Sequence, residues 1–237
     1  MRVLIIQNCA TERVGLYEQY LIDHHIDYEV FHAYHGERFP QMRRYDAFIV
    51  GGTPISAYEV HRHPFLRREW RYLKNVVRAD APYFGICFGG QLLARLLGAQ
   101  VRRNPRMEIG VYEVHLTSWG EKDPLLNGFP NKFPVFHWHG DAFDIPAGTR
   151  RLVKGEDCPN QLFRYKHAVA VQFHLEVTAQ DAANWADQYD DESQRVHKTK
   201  AMVVAECKTH EPQMKALAYR LLGNFFAHPV KRASEQA

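Results

Sequence analysis

Long apolar runs are missing from this chain, and none approaches the length needed to span a bilayer. The first residues, Met1-Arg2-Val3-Leu4-Ile5-Ile6-Gln7, read as a strand from the start. That stretch is too short for a signal-peptide core and no cleavage site follows it, so neither a leader nor a membrane anchor is expected. Cysteine is scarce: Cys9, Cys87, Cys158 and Cys207 are the four present, at irregular spacing. The spacing excludes a disulfide framework and a cysteine-based zinc site, and it fits reduced thiols in a cytoplasmic compartment. Charge of one sign is lacking too. The formal net charge is +3 with His neutral, so no nucleic-acid partner is implied. The basic clusters Arg43-Arg44, Arg67-Arg68, and Arg102-Arg103 with Arg106 read as solvated surface, with a docking patch or an anion site as the alternative. There is no repeat, no low-complexity stretch and no interdomain linker. No Gly-x-x-x-x-Gly-Lys-Ser/Thr loop is present to hold a nucleotide triphosphate. Histidine is plentiful at 14, yet His24-His25, His61-x-His63 and His137-x-His139 match no established metal spacing. Neither a metal nor any other cofactor is expected.

What is there is an alternation of β-rich and helical segments. Arg2–Gln7, Tyr28–His32, Ala47–Val50 and Tyr83–Gly85 read as strands, and Val14–His25 and Phe65–Val77 as helices between them. That order implies a three-layer α/β/α fold with a mostly parallel, flavodoxin-like central sheet, whose ligands bind at the carboxyl ends of the strands. The middle changes character. Gln100–Arg103, Val111–Leu116, Phe133–Trp138, Arg151–Lys154 and Gln161–Tyr165 read as short strands with tight connections, among them the turns at Asn127-Gly128 and Ala147-Gly148. They imply a small antiparallel extension, joined through Tyr165-Lys166-His167 to the next strand. From about 178 the pattern is helical, with Thr178 and Asp181 placed to cap the first helix. A break is expected at Asp190-Asp191-Glu192, an end of order at His228-Pro229, and a frayed tail over 231–237. The whole chain, 1–237, reads as one domain.

The segment Pro82-Tyr83-Phe84-Gly85-Ile86-Cys87-Phe88-Gly89-Gly90-Gln91 is the most informative. An apolar run ends in Gly-x-Cys-x-Gly, and the helical pattern of Leu92–Leu97 follows at once. This is the layout of a nucleophile elbow, with cysteine where serine often stands. The glycines let the backbone turn sharply and the helix start tight against the strand. At the helix N-terminus the dipole favours thiolate. The backbone N–H of Phe88, at the helix start, is placed to face an oxyanion. Further on, Ala168–Val177 is an apolar run ending at His174 and Glu176. If the strand runs straight through, these two share a face. His174 then serves as base to the thiol and Glu176 orients the imidazole. Cys9, Cys158 and Cys207 read as core filling.

Together these segments resemble the class I glutamine amidotransferases, the Cys-His-Glu hydrolases of glutamine. The motifs that carry the likeness are Val50-Gly51-Gly52-Thr53-Pro54, Gly85-Ile86-Cys87-Phe88-Gly89-Gly90-Gln91 and Gln172-Phe173-His174-Leu175-Glu176. His137-Trp138-His139-Gly140-Asp141 resembles the segment that lines the glutamine pocket. The likeness runs from about Arg2 to Val177 and is nearest to free-standing members related to the amidotransferase half of GMP synthetase. One departure stands out: Leu175 occupies the place where the family usually has proline.

The resemblance implies Cys87 as nucleophile, His174 as proton carrier and Glu176 as its orienter, with a γ-glutamyl thioester formed and ammonia released. It implies an oxyanion hole from Gly52 and Phe88, and substrate contacts from Gln91, Gly51, Trp138, His139 and Gly140. His137 and His139 read equally well as polar core or rim, and Trp138 as core. Three roles remain open on sequence. The chain could supply ammonia to a separate synthase subunit, hydrolyse γ-glutamyl compounds alone, or bind its ligand as a regulator without turnover. With a synthase, the glycine pair at Gly51-Gly52 is expected to be ordered by the partner.

Overall fold

The computed structural model describes residues 1–227. The expected end of order at His228-Pro229 and the tail over 231–237 lie outside the described residues. The chain opens with β1 (Arg2–Gln7), α1 (Gly15–Asp23), β2 (Asp27–His32), β3 (Ala47–Val50), α2 (Pro64–Arg78), β4 (Tyr83–Ile86) and α3 (Phe88–Leu96). The sheet continues with β5 (Val101–Leu116), β6 (Lys132–Phe143), β7 (Arg150–Lys154), β8 (Leu162–Tyr165) and β9 (Ala168–Val171). Three helices close the described chain: α4 (Ala179–Gln188), α5 (Asp190–Arg195) and α6 (Lys200–Phe226).

All strands join one sheet, in the order β2-β1-β3-β4-β9-β8-β7-β5-β6. The pairs from β2 to β9 are parallel, and those from β9 to β6 are antiparallel. The parallel part has the flavodoxin-like order, with its crossovers covered by helices on both faces. Two apolar layers result. One face buries Val3, Ile5, Ile49 and Phe84 with α1, α4 and α6; the other buries Leu4, Ile6, Phe48 and Tyr83 with α2 and α3. The alternation along β1 and β3 sorts these side chains between the two layers.

The antiparallel part is larger than the sequence pattern suggests. Gln100–Arg103 and Val111–Leu116 are not separate strands but parts of β5, 16 residues long, with an irregularity between Arg103 and Glu108. The polar run Arg102-Arg103-Asn104-Pro105-Arg106 hides this continuity, because proline and paired charges read as a loop. β6 is likewise longer than Phe133–Trp138, reaching Phe143.

Thr178 caps α4 through a reciprocal box with Asp181: Asp181 N–H donates to Thr178 Oγ1 at 3.2 Å, and Thr178 N–H to Asp181 Oδ2 at 3.0 Å. The break falls at Tyr189, and Asp190-Asp191-Glu192 form the first turn of α5, where carboxylates suit the helix dipole.

Candidate functional site

Cys87 ends β4 and caps α3 with φ +48° and ψ −105°, a left-handed backbone that a non-glycine residue adopts only under tertiary constraint. The constraint is visible in its neighbours. A Cβ on Gly85 would lie 2.5 Å from the Gly89 carbonyl, and one on Gly89 would collide with the Val50 carbonyl. Only hydrogen at both positions lets α3 start flush against β3 and β4.

The strand does not run straight through to His174. β9 stops at Val171, and the chain bends before His174, which exchanges backbone hydrogen bonds with Phe136 of β6 at 2.8 and 3.0 Å. His174 and Glu176 therefore meet across a bend, not along one face of a strand. His174 Nδ1 and Glu176 Oε1 are 2.5 Å apart, both side chains fully buried. Leu175, at the family's proline position, is wholly buried in the core layer with Phe173 and Val177. The Trp185 ring stands edge-on to His174 at 5.0 Å and helps fix the imidazole.

His174 Nε2 is buried without a partner in hydrogen-bond geometry, and the Cys87 thiol and His174 influence one another's ionisation. Burial disfavours a charged imidazole, yet the Glu176 carboxylate and the Cys87 thiol outweigh it and hold the His174 pKa well above its ordinary value. Burial likewise pushes the Cys87 thiol up, against the pull of His174 and of the Phe88 N–H. The helix start favours thiolate, while burial acts against it and shifts the thiol upward. Of the other cysteines, burial raises Cys9 to about 11 and Cys158 and Cys207 to about 12. Each lies outside the elbow.

Cys87 opens into a cavity of about 820 Å³ whose lining includes Phe88, Gln91, Trp138, His139, Gly140 and Asp141. Of the expected pocket residues, Phe88, Gln91, Trp138, His139 and Gly140 line this cavity, and Gly51 and Gly52 lie outside its lining. The Gln91 amide donates to the Asp141 carbonyl at 3.2 Å and to Gln172 Oε1 at 3.3 Å, and Gln172 Nε2 lies 3.6 Å from the Cys87 sulfur. Trp138 is a pocket wall with a polar tether, its Nε1 donating to Glu192 at 2.7 Å. His139 is turned toward other groups: its Nδ1 bonds the Asp141 carbonyl at 3.0 Å, and its Nε2 lies 2.9 Å from Glu108 and 3.1 Å from His137. Glu108, His137 and His139, all buried, form a trio close enough to hold a metal ion. These residues already satisfy one another in part, so the trio reads equally as a hydrogen-bonded buttress for β5 and β6.

Gly51 and Gly52 follow β3. The Gly51 N–H donates to the Ile6 carbonyl at 3.0 Å, and the Asn8 amide donates to the Gly51 carbonyl at 3.2 Å. Gly52 packs against Glu12, whose carboxyl occupies the space a side chain on Gly52 would need, close to Cys87.

Sequence reasoning missed Glu12, which lines the cavity after β1 and receives a hydrogen bond from Tyr189 at 3.2 Å. Burial raises its pKa to about 7, while His174 pulls it down. The signal was available in part, since Glu12 follows a strand end as Gly52 and Cys87 do. Gln172 was within a quoted motif but unassigned. Arg103 and Arg106, read as solvated surface, lie at the cavity mouth with Arg195. Among the described residues no helix is long and apolar enough to cross a membrane.

Residues 8–186 match the family model of the class I glutamine amidotransferases. The chain is 31% identical over 185 residues to the glutamine amidotransferase-like protein YfeJ of Salmonella typhimurium, covering 76% of this chain and 77% of that one. It is 34% identical over 135 residues to the glutamine-hydrolysing GMP synthase of Thermosipho melanesiensis, covering 56% of this chain but 24% of the synthase. A crystal structure of a glutamine amidotransferase from Thermotoga maritima superposes with a TM-score of 0.88 at 31% identity, over 96% of this chain and 99% of that one. The chain belongs to the class I glutamine amidotransferase family.

Proposed function

We propose that this protein hydrolyses the side-chain amide of glutamine through a cysteinyl γ-glutamyl thioester. The observation that carries the reading is the strained elbow at Cys87 facing an imidazole that is itself held by Glu176 at 2.5 Å. Sulfur attacks the amide carbon while His174 takes the thiol proton, so charge separates only as the bond forms. Glu176, held against Nδ1, makes Nε2 of His174 the more basic nitrogen and the better acceptor for that proton. The tetrahedral oxygen lies between the N–H groups of Gly52 and Phe88. Collapse expels the amine, protonated by His174, and leaves the thioester. Water, deprotonated by His174, then releases glutamate and restores the thiol. Gln91 and the Trp138–Asp141 segment hold the amino-acid end of the substrate. No metal or other cofactor takes part in these steps.

A second reading has its own support. The cavity of about 820 Å³ falls in the range of sites for much larger ligands than one amino acid. On that ground the chain hydrolyses γ-glutamyl compounds with a sizeable leaving group, acting alone. The alternative is a separate synthase subunit docked over the same opening to take the ammonia. Product release from glutamine and from a γ-glutamyl dipeptide, at matched concentrations, with and without cell extract, separates the cases. Faster dipeptide cleavage without extract supports the stand-alone hydrolase, whereas stimulation of glutamine cleavage by extract supports the subunit. No turnover of either, with Cys87 reduced, would leave a regulatory binder as the reading.

A further inference from the structure

The apolar face of α2 contains one polar intruder. Its buried residues are Leu66, Glu69, Leu73 and Val76, the spacing of a core-facing stripe, and Glu69 is completely shielded from solvent. A buried carboxylate needs a cation or several donors. Glu69 has one donor: the Asn8 side-chain amide, 3.1 Å from its Oε1. The same Asn8 nitrogen donates to the Gly51 carbonyl at 3.2 Å. Asn8 follows β1, so three elements converge beneath the glycine turn.

Two buried oxygens are left over, Asn8 Oδ1 and Glu69 Oε2. They belong to the two groups that already share a hydrogen bond. As two acceptors both would be orphaned, each at a cost of about 1–3 kcal/mol. A single proton on Glu69 resolves both, with the acid O–H donating to the amide oxygen and the amide N–H donating back. The environment agrees. Burial raises the Glu69 pKa to about 8, the Asn8 hydrogen bond being the opposing influence, and the other titratable side chain that senses it is the uncharged Tyr83 phenol.

The clamp has a direct geometric consequence at the candidate oxyanion hole. The Gly51–Gly52 peptide is trans, so its C=O and N–H point in opposite directions. Asn8 pins the carbonyl on the α2 side. The Gly52 N–H is thereby turned away from Asn8, and it has no acceptor among the described residues. We propose that Glu69 is a positioning residue: as an uncharged carboxylic acid paired with the Asn8 amide, it locks the Gly51–Gly52 peptide with its N–H presented to the reacting carbonyl. The inference rests on the amide-hydrolase reading above. It removes the need for a partner to order this turn, because the lock is internal to the chain.

The test uses the full chain and two reactions at the same sulfur. Glutamine or γ-glutamyl dipeptide hydrolysis needs an oxyanion donor, whereas alkylation of Cys87 by iodoacetamide is a displacement that forms no oxyanion. Glu69→Leu, with Asn8→Ala as a second variant, is expected to lower kcat by about a hundredfold, the effect of losing one donor. KM and the alkylation rate should stay within about threefold of wild type, as expected when an interaction made only in the transition state is lost. Glu69→Gln can replace both hydrogen bonds and should restore kcat to within about threefold. The infrared difference spectrum between wild type and Glu69→Gln at neutral pH should contain a protonated-carboxyl band. Full activity in Glu69→Leu, or equal loss of hydrolysis and alkylation, would overturn the positioning role. Activity in Glu69→Gln as low as in Glu69→Leu, or absence of the infrared band, would overturn the acid–amide pair. A wild-type chain that hydrolyses neither substrate would refute the hydrolase reading by itself. The infrared band would still decide the pair, including if the truncated variants fail to fold.

Discussion

At Cys87 local effects oppose one another. The helix start favours thiolate, as do His174 and the Phe88 N–H, while burial and the Glu12 charge push the thiol pKa up. On the proposed reading, attack by Cys87 depends on His174 as the acceptor of the thiol proton. Cys87→Ser should lose turnover by orders of magnitude, because a hydroxyl is far harder to ionise. His174→Ala should abolish acylation. Glu176→Gln should keep a small residual rate, since Trp185 still packs on the ring. Single-turnover release of amine checks all three, and near-normal acylation in His174→Ala would move the base elsewhere. Glu12 supplies a further test. Its carboxyl ionises near pH 7 and its charge raises the Cys87 pKa. Glu12→Gln removes that charge, so the pH profile of Cys87 alkylation should shift to lower pH. An unshifted profile would place Glu12 too far from the thiol to matter.

At the scale of elements, the elbow is a packing device. Because a methyl on Gly89 would collide with the Val50 carbonyl, Gly89→Ala must push α3 off β3. That change should destabilise the fold by several kcal/mol, on the order of other severe backbone clashes. Thr178→Ala removes one side of the α4 cap and should cost about 1 kcal/mol. Urea midpoints compare the two directly, and a Gly89→Ala variant no less stable than Thr178→Ala would contradict the close approach. The elements also mark where sequence pattern was legible. β1, β3 and β4 and the cap at Thr178 follow from short-range signals and stand at the expected places. β5 was split in two because Arg102–Arg106 carries loop chemistry inside a strand. The registry that holds it straight comes from β6, more than twenty residues on.

At the scale of the whole molecule, two buried acids lie under or beside one turn, and they make stability depend on pH. Glu69 has a folded-state pKa near 8 against an ordinary value of 4.5. Between these values the folded state holds a proton that the unfolded chain releases, so stability falls as pH rises from about 4.5 to 8 and is level beyond. Glu69→Gln lacks this loss. Its stability relative to wild type should grow across that window, by on the order of 5 kcal/mol in total for a shift of this size. Thermal or denaturant melts at pH 5, 7 and 9 measure the trend. A constant difference between the two proteins at all three would mean that Glu69 is charged in the fold. The Glu12 acid adds a smaller effect of the same sign, complete by pH 7.

Composition and spacing pointed to the α/β class and the elbow at Cys87, and they placed His174 beside Glu176; the family followed from the likeness of the quoted motifs. Each of these rests on covalent neighbours: glycines that must be small, a helix that must start, a titratable pair two residues apart. Tertiary structure decided that the strand ends before His174, that Leu175 goes to the core, and that Arg103 and Arg106 border the cavity. It also decided the burial of Glu12 and Glu69, which no periodicity distinguishes from solvated acids. Glu69 meets Asn8 from 61 positions away, and Tyr189 meets Glu12 from 177. The charge state of a carboxyl is set by what surrounds it in space, and at such separations the chain order carries no record of that surrounding.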